Sequence, residues 1–172
     1  MKPVVNIAEL APERDVKGEL YDSSEAPIAS LIGLAGLGAR YCEVPPGKSA
    51  CPFHNHHVED EMFLVLEGNG TYRFGSERYA IKAGDVLGAP AGGQDTAHQI
   101  LNTGSVPLRY IGISTKSPID VCEYPDSGKF LVKSHSGEGH LRHIGRAGQN
   151  NLDYWDGEPG ARDAAATPKL EK

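Results

Sequence analysis

Gly47-Lys-Ser-Ala-Cys51-Pro-Phe-His54-Asn-His56-His57-Val-Glu59-Asp-Glu61-Met-Phe-Leu-Val-Leu-Glu-Gly68 is the stretch that decides how the chain is read. It puts three of the seven histidines within four residues, followed by acids and an apolar run. His54 and His56 are two apart. On a strand, residues i and i+2 face the same way with Cα atoms ~7 Å apart. Two imidazoles so placed can converge on one ion at ~2.1 Å per bond. Glu61 follows His56 by five, an odd offset that a continuous strand would send to the opposite face. The chain is therefore expected to turn or bulge through 57–60 and return, bringing Glu61 back to the histidines.

Outward from Glu61, the run has apolar residues on both faces. Glu61, Phe63 and Val65 share one parity; Met62, Leu64 and Leu66 share the other. If the first set lines a barrel interior, the second needs cover, from the amino-terminal arm or from a second subunit, and a homodimer is expected. A fourth ligand has to come from elsewhere in the chain. His98 is the best candidate, in Gly84-Asp-Val-Leu-Gly-Ala-Pro90-Ala-Gly92-Gly93-Gln-Asp-Thr-Ala-His98-Gln-Ile-Leu-Asn102, a strand–turn–strand pattern punctuated by Gly and Pro.

Taken together, the two stretches resemble the two sequence motifs of the cupins. His54, His56, Glu61 and Gly68 match the first motif. Gly84, Pro90, Gly92, His98 and Asn102 match the second, except that five residues rather than two separate Gly92 from His98. The short gap between the motifs, 69–83, suits a single small cupin domain. The resemblance implies an all-β jelly-roll barrel or sandwich with a metal held by His54, His56, Glu61 and His98. The segments Tyr124-Pro-Asp-Ser-Gly-Lys129 and Tyr154-Trp-Asp-Gly-Glu158 are similar to stretches in a branch of small bacterial cupins, some of which carry sugar-phosphate isomerase labels.

The residues alone support the same fold class. Turn signals recur every 8–12 residues or so, which indicates a β-sandwich or barrel rather than βαβ units. Strands are expected in the latter part of 31–44, at 61–66, around Tyr72–Phe74 and Tyr79–Ile81, at 86–87, at 98–101 and at 108–114. Residues 1–30 read as an extended arm, with Val4, Val5 and Ile7 able to pair as a short strand. Residues 31–144 form the cupin domain. After Thr115 the pattern dissolves, with a strand end and a turn within 121–132. Residues 145–172 read as a tail draped over the barrel, its sticky spot being Tyr154 and Trp155, which would plug the barrel mouth or pack at an interface.

With 172 residues the chain is one domain by length. A net charge of −6 argues against a general nucleic-acid binder, which would show a basic face. Three cysteines without a C-x-x-C make a disulfide framework unexpected, and no stretch is long and apolar enough for a signal peptide or membrane span. A cytoplasmic protein is expected.

Three imidazoles and one carboxylate form a mixed nitrogen and oxygen set without thiolate. It suits one divalent transition metal, Fe, Mn, Zn, Ni or Co, rather than a structural zinc. One carboxylate leaves such a site near +1, which favours a small anionic or oxygen-rich ligand. Open coordination positions would admit isomerisation, dioxygen chemistry or simple ligand binding. Glu59 and Asp60 are rivals to Glu61 but read as solvated turn residues. His57 has the opposite parity to His56 and is expected in solvent or in a supporting hydrogen bond. Asn102 reads as a turn former and Cys51 as a small buried thiol. His135, His140 and His143 offer a second metal site or, more plainly, a solvated loop. Arg40, Tyr41, Tyr72, Arg109 and Tyr110 are candidates to line the pocket, with their facing left open.

Overall fold

Short alternating segments between glycine- and proline-marked turns pair into antiparallel sheets in the computed structural model, which describes residues 2–134, 140–146, 148 and 151–160. The strands are β1 (Glu13–Lys17), β2 (Tyr21–Pro27), β3 (Leu37–Val44), β4 (Asn55–His56), β5 (Glu61–Glu67), β6 (Asn69–Phe74) and β7 (Glu77–Lys82). They continue with β8 (Val86–Ala89), β9 (His98–Leu101), β10 (Leu108–Thr115), β11 (Ile119–Tyr124), β12 (Lys129–Ser134) and β13 (Leu141–Arg146). Three sheets result, ordered β1-β2-β3-β10-β5-β8, β7-β6-β9 and β13-β12-β11-β4.

The first two sheets face each other as a jelly-roll sandwich. Inward residues of the six-stranded sheet, Cys42, Val44, Val65, Leu108 and Tyr110, meet Tyr72, Ile81 and Ile100 from the three-stranded one. Val44, Val65 and Leu108 are fully buried. Burying a side chain of this kind is worth roughly 1.5–3 kcal/mol. The parity expected of β5 is present: Phe63 and Val65 pack on the core, whereas Met62 is 43% exposed on the outer face. Gly68 ends β5 at φ +84°, and a Cβ there would lie 2.6 Å from the Pro107 carbonyl oxygen. Both conditions restrict the position to glycine.

The amino-terminal segment departs from expectation. Val4 and Val5 lie outside the strands, and Ile7–Glu9 is a 3₁₀ turn because the Asn6 side chain caps it, accepting from Ala8 N–H at 3.0 Å. Pairing begins instead at β1 and β2, and β2 joins the main sheet through β3. The segment after Thr115 is also more regular than its sequence pattern suggests. β11, β12 and β13 form a meander, and β11 pairs with the two-residue β4, setting Cys122 opposite His56. Polar ties anchor the meander. Arg73 donates two hydrogen bonds to Asp126, at 2.6 and 2.7 Å, while its guanidinium lies 3.6 Å from the centre of the Phe53 ring. Tyr154 and Trp155 plug nothing: they are 83% and 59% exposed and pack edge to face on each other. The rest of the expected tail, 161–172, lies outside the described residues. No helix among the described residues is long and apolar enough to cross a membrane.

Candidate metal centre

The sheets meet where the two histidine motifs come together. After β4 the chain bends through 57–60, so Glu61 enters β5 on the inward parity. The Asp60 side chain holds this bend, accepting from Ala91 N–H at 2.8 Å. His54 and His98 form an isolated antiparallel bridge, with His54 N–H donating to the His98 carbonyl at 3.1 Å and the reverse bond at 2.7 Å. The three extra residues between Gly92 and His98 are taken up by a 3₁₀ turn, Gln94–Thr96. Gly92 is clamped on both sides of its peptide: its N–H donates to the His56 carbonyl at 2.8 Å, and its carbonyl accepts from the Asn55 amide at 2.9 Å. The longer loop thus delivers His98 to the same place.

Three imidazoles surround one carboxylate oxygen. Glu61 Oε2 lies 2.9 Å from His98 Nε2, 3.3 Å from His56 Nε2 and 3.8 Å from His54 Nε2. Ligand atoms about 2.1 Å from a shared ion stand roughly 3–3.5 Å from one another. The His98 and His56 separations are near that size and the His54 one is longer, and His54, Glu61 and His98 offer ligand atoms within 4.8 Å of one another. Each ring also has an acceptor behind it. His54 Nδ1 faces the Pro52 carbonyl at 2.9 Å, His56 Nδ1 faces Asp120 Oδ2 at 2.6 Å, and His98 Nδ1 faces the Thr96 carbonyl at 3.4 Å. With a metal bound, an acceptor beside Nδ1 would keep the ring proton on that nitrogen and free Nε2 for the ion. The donor set therefore fits a divalent transition-metal ion.

The charges are arranged for such an ion. Burial, followed by the nearby His98, pushes the His54 pKa down to about 4, so its ring is neutral. Burial opposes the Glu61 carboxylate, but hydrogen bonds from His56 and His98 hold it well below the usual carboxylate range. Burial likewise disfavours charge on His56, yet hydrogen bonds to Cys122, Glu61 and Asp120 raise its pKa to about 11. The metal-free ring is thus an imidazolium between two carboxylates, and metal binding would have to displace its proton.

The other candidates fall into place around this centre. Glu59 corrects the expectation of a solvated turn residue: it is buried, accepts from Ser117 N–H at 2.9 Å and pairs with Lys133 at 2.7 Å. His57 turns away, 3.3 Å from Glu123. Asn102 secures a turn, donating to the Val44 and Val106 carbonyls and accepting from Gly104 N–H. A cavity of about 420 Å³ lies in front of the centre, with Arg40, Tyr110, Lys116 and Lys133 in its wall. Tyr72 is buried in the core beside it and donates to the Gly88 carbonyl. Tyr41, itself buried, and Arg109 lie on the opposite face of the sheet, tied to Glu43. Cys51 also lines the cavity, and burial raises its thiol to about 12. The three cysteines are free. His135 lies outside the described residues, and His143 packs against Phe130.

The sequence reading missed Asp120 and Lys133. Asp120 is fully buried and sits opposite Lys133 in the β11–β12 register, 3.6 Å from its amine. The signal was the alternation Ile119-Asp-Val-Cys-Glu-Tyr124, which puts Asp120 and Cys122 on one face of a strand. His56 Nδ1, Asp120 and Cys122 also cluster tightly enough to suggest a second ion. The 2.6 Å nitrogen–oxygen contact and the neighbouring Lys133 ammonium mark this cluster instead as a hydrogen-bonded support.

Comparison with known proteins matches this architecture. Residues 40–114 match the Cupin domain family. An oxalate-binding protein of Thermotoga maritima is 32% identical over 115 residues, 64% of this chain and 91% of that protein. The chain belongs to the cupin family. Among solved structures, this cupin is similar to a proposed sugar phosphate isomerase of Acidithiobacillus ferrooxidans, with TM-score 0.78 and 25% identity over 88% of this chain and 96% of that one. It is also similar to a predicted oxalate decarboxylase of Thermotoga maritima, with TM-score 0.57 and 27% identity over 66% of this cupin and 99% of that chain. All four candidate ligands fall within the span that matches the family.

Proposed function

We propose that this cupin holds one divalent transition-metal ion on His54, His56, Glu61 and His98 and acts on a small oxygen-rich anion, with isomerisation of a sugar phosphate as the leading reaction. The observation that carries the metal is the convergence of three imidazole Nε2 atoms on one Glu61 oxygen, each ring having its other nitrogen beside an acceptor. Iron, manganese, zinc, nickel and cobalt all suit this set. When bound, the ion would supply Lewis acidity to a ligand oxygen.

The cavity wall carries charges of both signs: Arg40 is paired with Glu25 and Lys133 with Glu59. Burial weighs against the Lys133 ammonium, but Glu59 and Asp120 outweigh it and raise its pKa. Arg40 and Lys116 add positive charge, and burial keeps the Tyr110 phenol and the Cys51 thiol protonated. Lys116, with the Tyr110 and Cys51 donors, would orient an anion bound in front of the centre. The isomerase reading is supported by the likeness to the Acidithiobacillus protein across 88% of the chain, including strands beyond the barrel. A second reading, binding without turnover, is supported by the 32% identity to the Thermotoga oxalate-binding protein.

The test is to load purified protein with each metal in turn and titrate it with oxalate and with sugar phosphates. Solvent deuterium is then followed into the carbon next to the carbonyl by NMR. Exchange with interconversion of aldose and ketose supports the isomerase. Tight binding without exchange favours the binding module, and oxygen uptake by the Fe(II) form would instead mark a dioxygenase. A homodimer is proposed through the outer face of the main sheet, where Met62 and Val86 are exposed. A monomeric mass in solution would refute it.

A further inference from the structure

We propose that Asp120, from a strand outside residues 40–114, is a positioning residue that fixes His56 as an Nε2 donor, with Lys133 holding Asp120 in place. This inference rests on the metal reading of the centre. Both oxygens of Asp120 are committed. Oδ2 accepts from His56 Nδ1 at 2.6 Å and from the Cys122 thiol at 3.4 Å, and Oδ1 accepts from Val58 N–H at 3.1 Å. The Val58 bond ties the carboxylate to the backbone two residues beyond the histidine it supports. The other two candidate histidines rest on backbone carbonyls, whereas His56 alone has a carboxylate behind its ring.

The topology explains why this support must come from the carboxy-terminal meander. β4 is two residues long and, among the described residues, pairs in a ladder with β11 alone. Asp120 is two residues from Cys122, which pairs with His56, so its side chain projects on the same face beside the ring. A buried carboxylate without a cation would be costly. Lys133 stands opposite Asp120 on β12 and reaches both it, at 3.6 Å, and Glu59, at 2.7 Å. One lysine thus ties together the bend carrying Glu59, the strand carrying Asp120 and the cavity wall. A carboxylate behind a ligating imidazole orients the ring and raises its basicity, and removing such a support costs about 10–100-fold in metal affinity.

The experiment measures cobalt(II) binding to the full chain by calorimetry and by visible absorption, for wild type, Asp120→Asn, Asp120→Glu and Lys133→Met. Asp120→Asn is expected to bind cobalt about 10–100-fold more weakly with an altered visible band. Asp120→Glu is expected to recover part of the affinity, and Lys133→Met to give an intermediate loss. Wild-type affinity and an unchanged band in Asp120→Asn would overturn the proposal, as would a variant that melts earlier yet binds normally. As a measurement free of any variant, nitrogen-15 NMR of the zinc-loaded wild type should show the His56 ring protonated at Nδ1. A zinc-loaded ring protonated at Nε2 would overturn the proposal even if the variants fail to fold. Absence of cobalt binding by the wild type would overturn the metal reading itself, a result distinct from normal binding by Asp120→Asn.

Discussion

The barrel and the carboxy-terminal meander are both antiparallel β-structure, yet different forces hold them. The barrel is organised around an apolar cluster from Cys42 to Tyr110. Among the described residues after Tyr110, the buried side chains are those of Asp120 and Cys122, and the meander is docked by Arg73–Asp126, Glu59–Lys133 and Asp120–His56. The hydrophobic effect thus builds a container that holds the four candidate ligands. The polar contacts then attach a second layer against one of them. The container should set stability and the second layer should tune the centre.

Four measurements can break or sharpen that contrast. The largest expected effect is on metal content. Glu61→Gln or His98→Ala should lower cobalt affinity by more than about 100-fold, beyond the loss from an outer support, while circular dichroism shows the sheets intact. Next is the container itself. Leu108→Ala removes a fully buried side chain and should cost about 2–5 kcal/mol in urea unfolding. If it costs less than the polar ties do, the contrast fails.

A third measurement follows the stability of the metal-free protein with pH. Below 6.5 the unfolded chain protonates His54 while the fold holds it neutral down to about 4, so stability rises with pH across that range. The depressed Glu61 and Asp120 carboxylates contribute stability above their ordinary values, 4.5 and 3.8, and lose it in acid. Above 6.5 the unfolded chain releases the His56 proton while the fold keeps it up to about 11, so stability falls. Thermal melts of the apo-protein should therefore peak near pH 6.5. Metal loading, which displaces the His56 proton, should remove the decline between pH 6.5 and about 9, above which the buried Cys51 thiol still lowers stability. The smallest effect is expected at the meander's far tie, where Asp126 is half exposed. Arg73→Ala should cost no more than about 1 kcal/mol and leave cobalt affinity unchanged.

The barrel was legible because its forces leave a pattern. Alternation along 61–66 assigned Phe63 and Val65 to the interior, and the odd offset from His56 to Glu61 required the bend that the chain makes. The expected facing of His57, away from the centre, followed from the same parity. The alternation along 119–124 was there to read, but the roles of Asp120 and Lys133 were not legible, because the value of Asp120 lies in a pairing across 64 residues with His56. Glu59 was misjudged for a related reason: a lone acid in a turn reads as solvated unless its distant cation is known. Near the amino terminus, the Asn6 cap outweighed the β-propensity of Val4, Val5 and Ile7.

The His54–His98 bridge brings together segments 44 residues apart in the chain, by two backbone hydrogen bonds, and β4 and β11 close a still longer loop. Contacts of such separation form late in folding, because loop closure precedes any gain from them. A nascent chain would therefore have no assembled cage until His98 had emerged and paired with His54, and no carboxylate behind His56 until residue 120 had followed and docked.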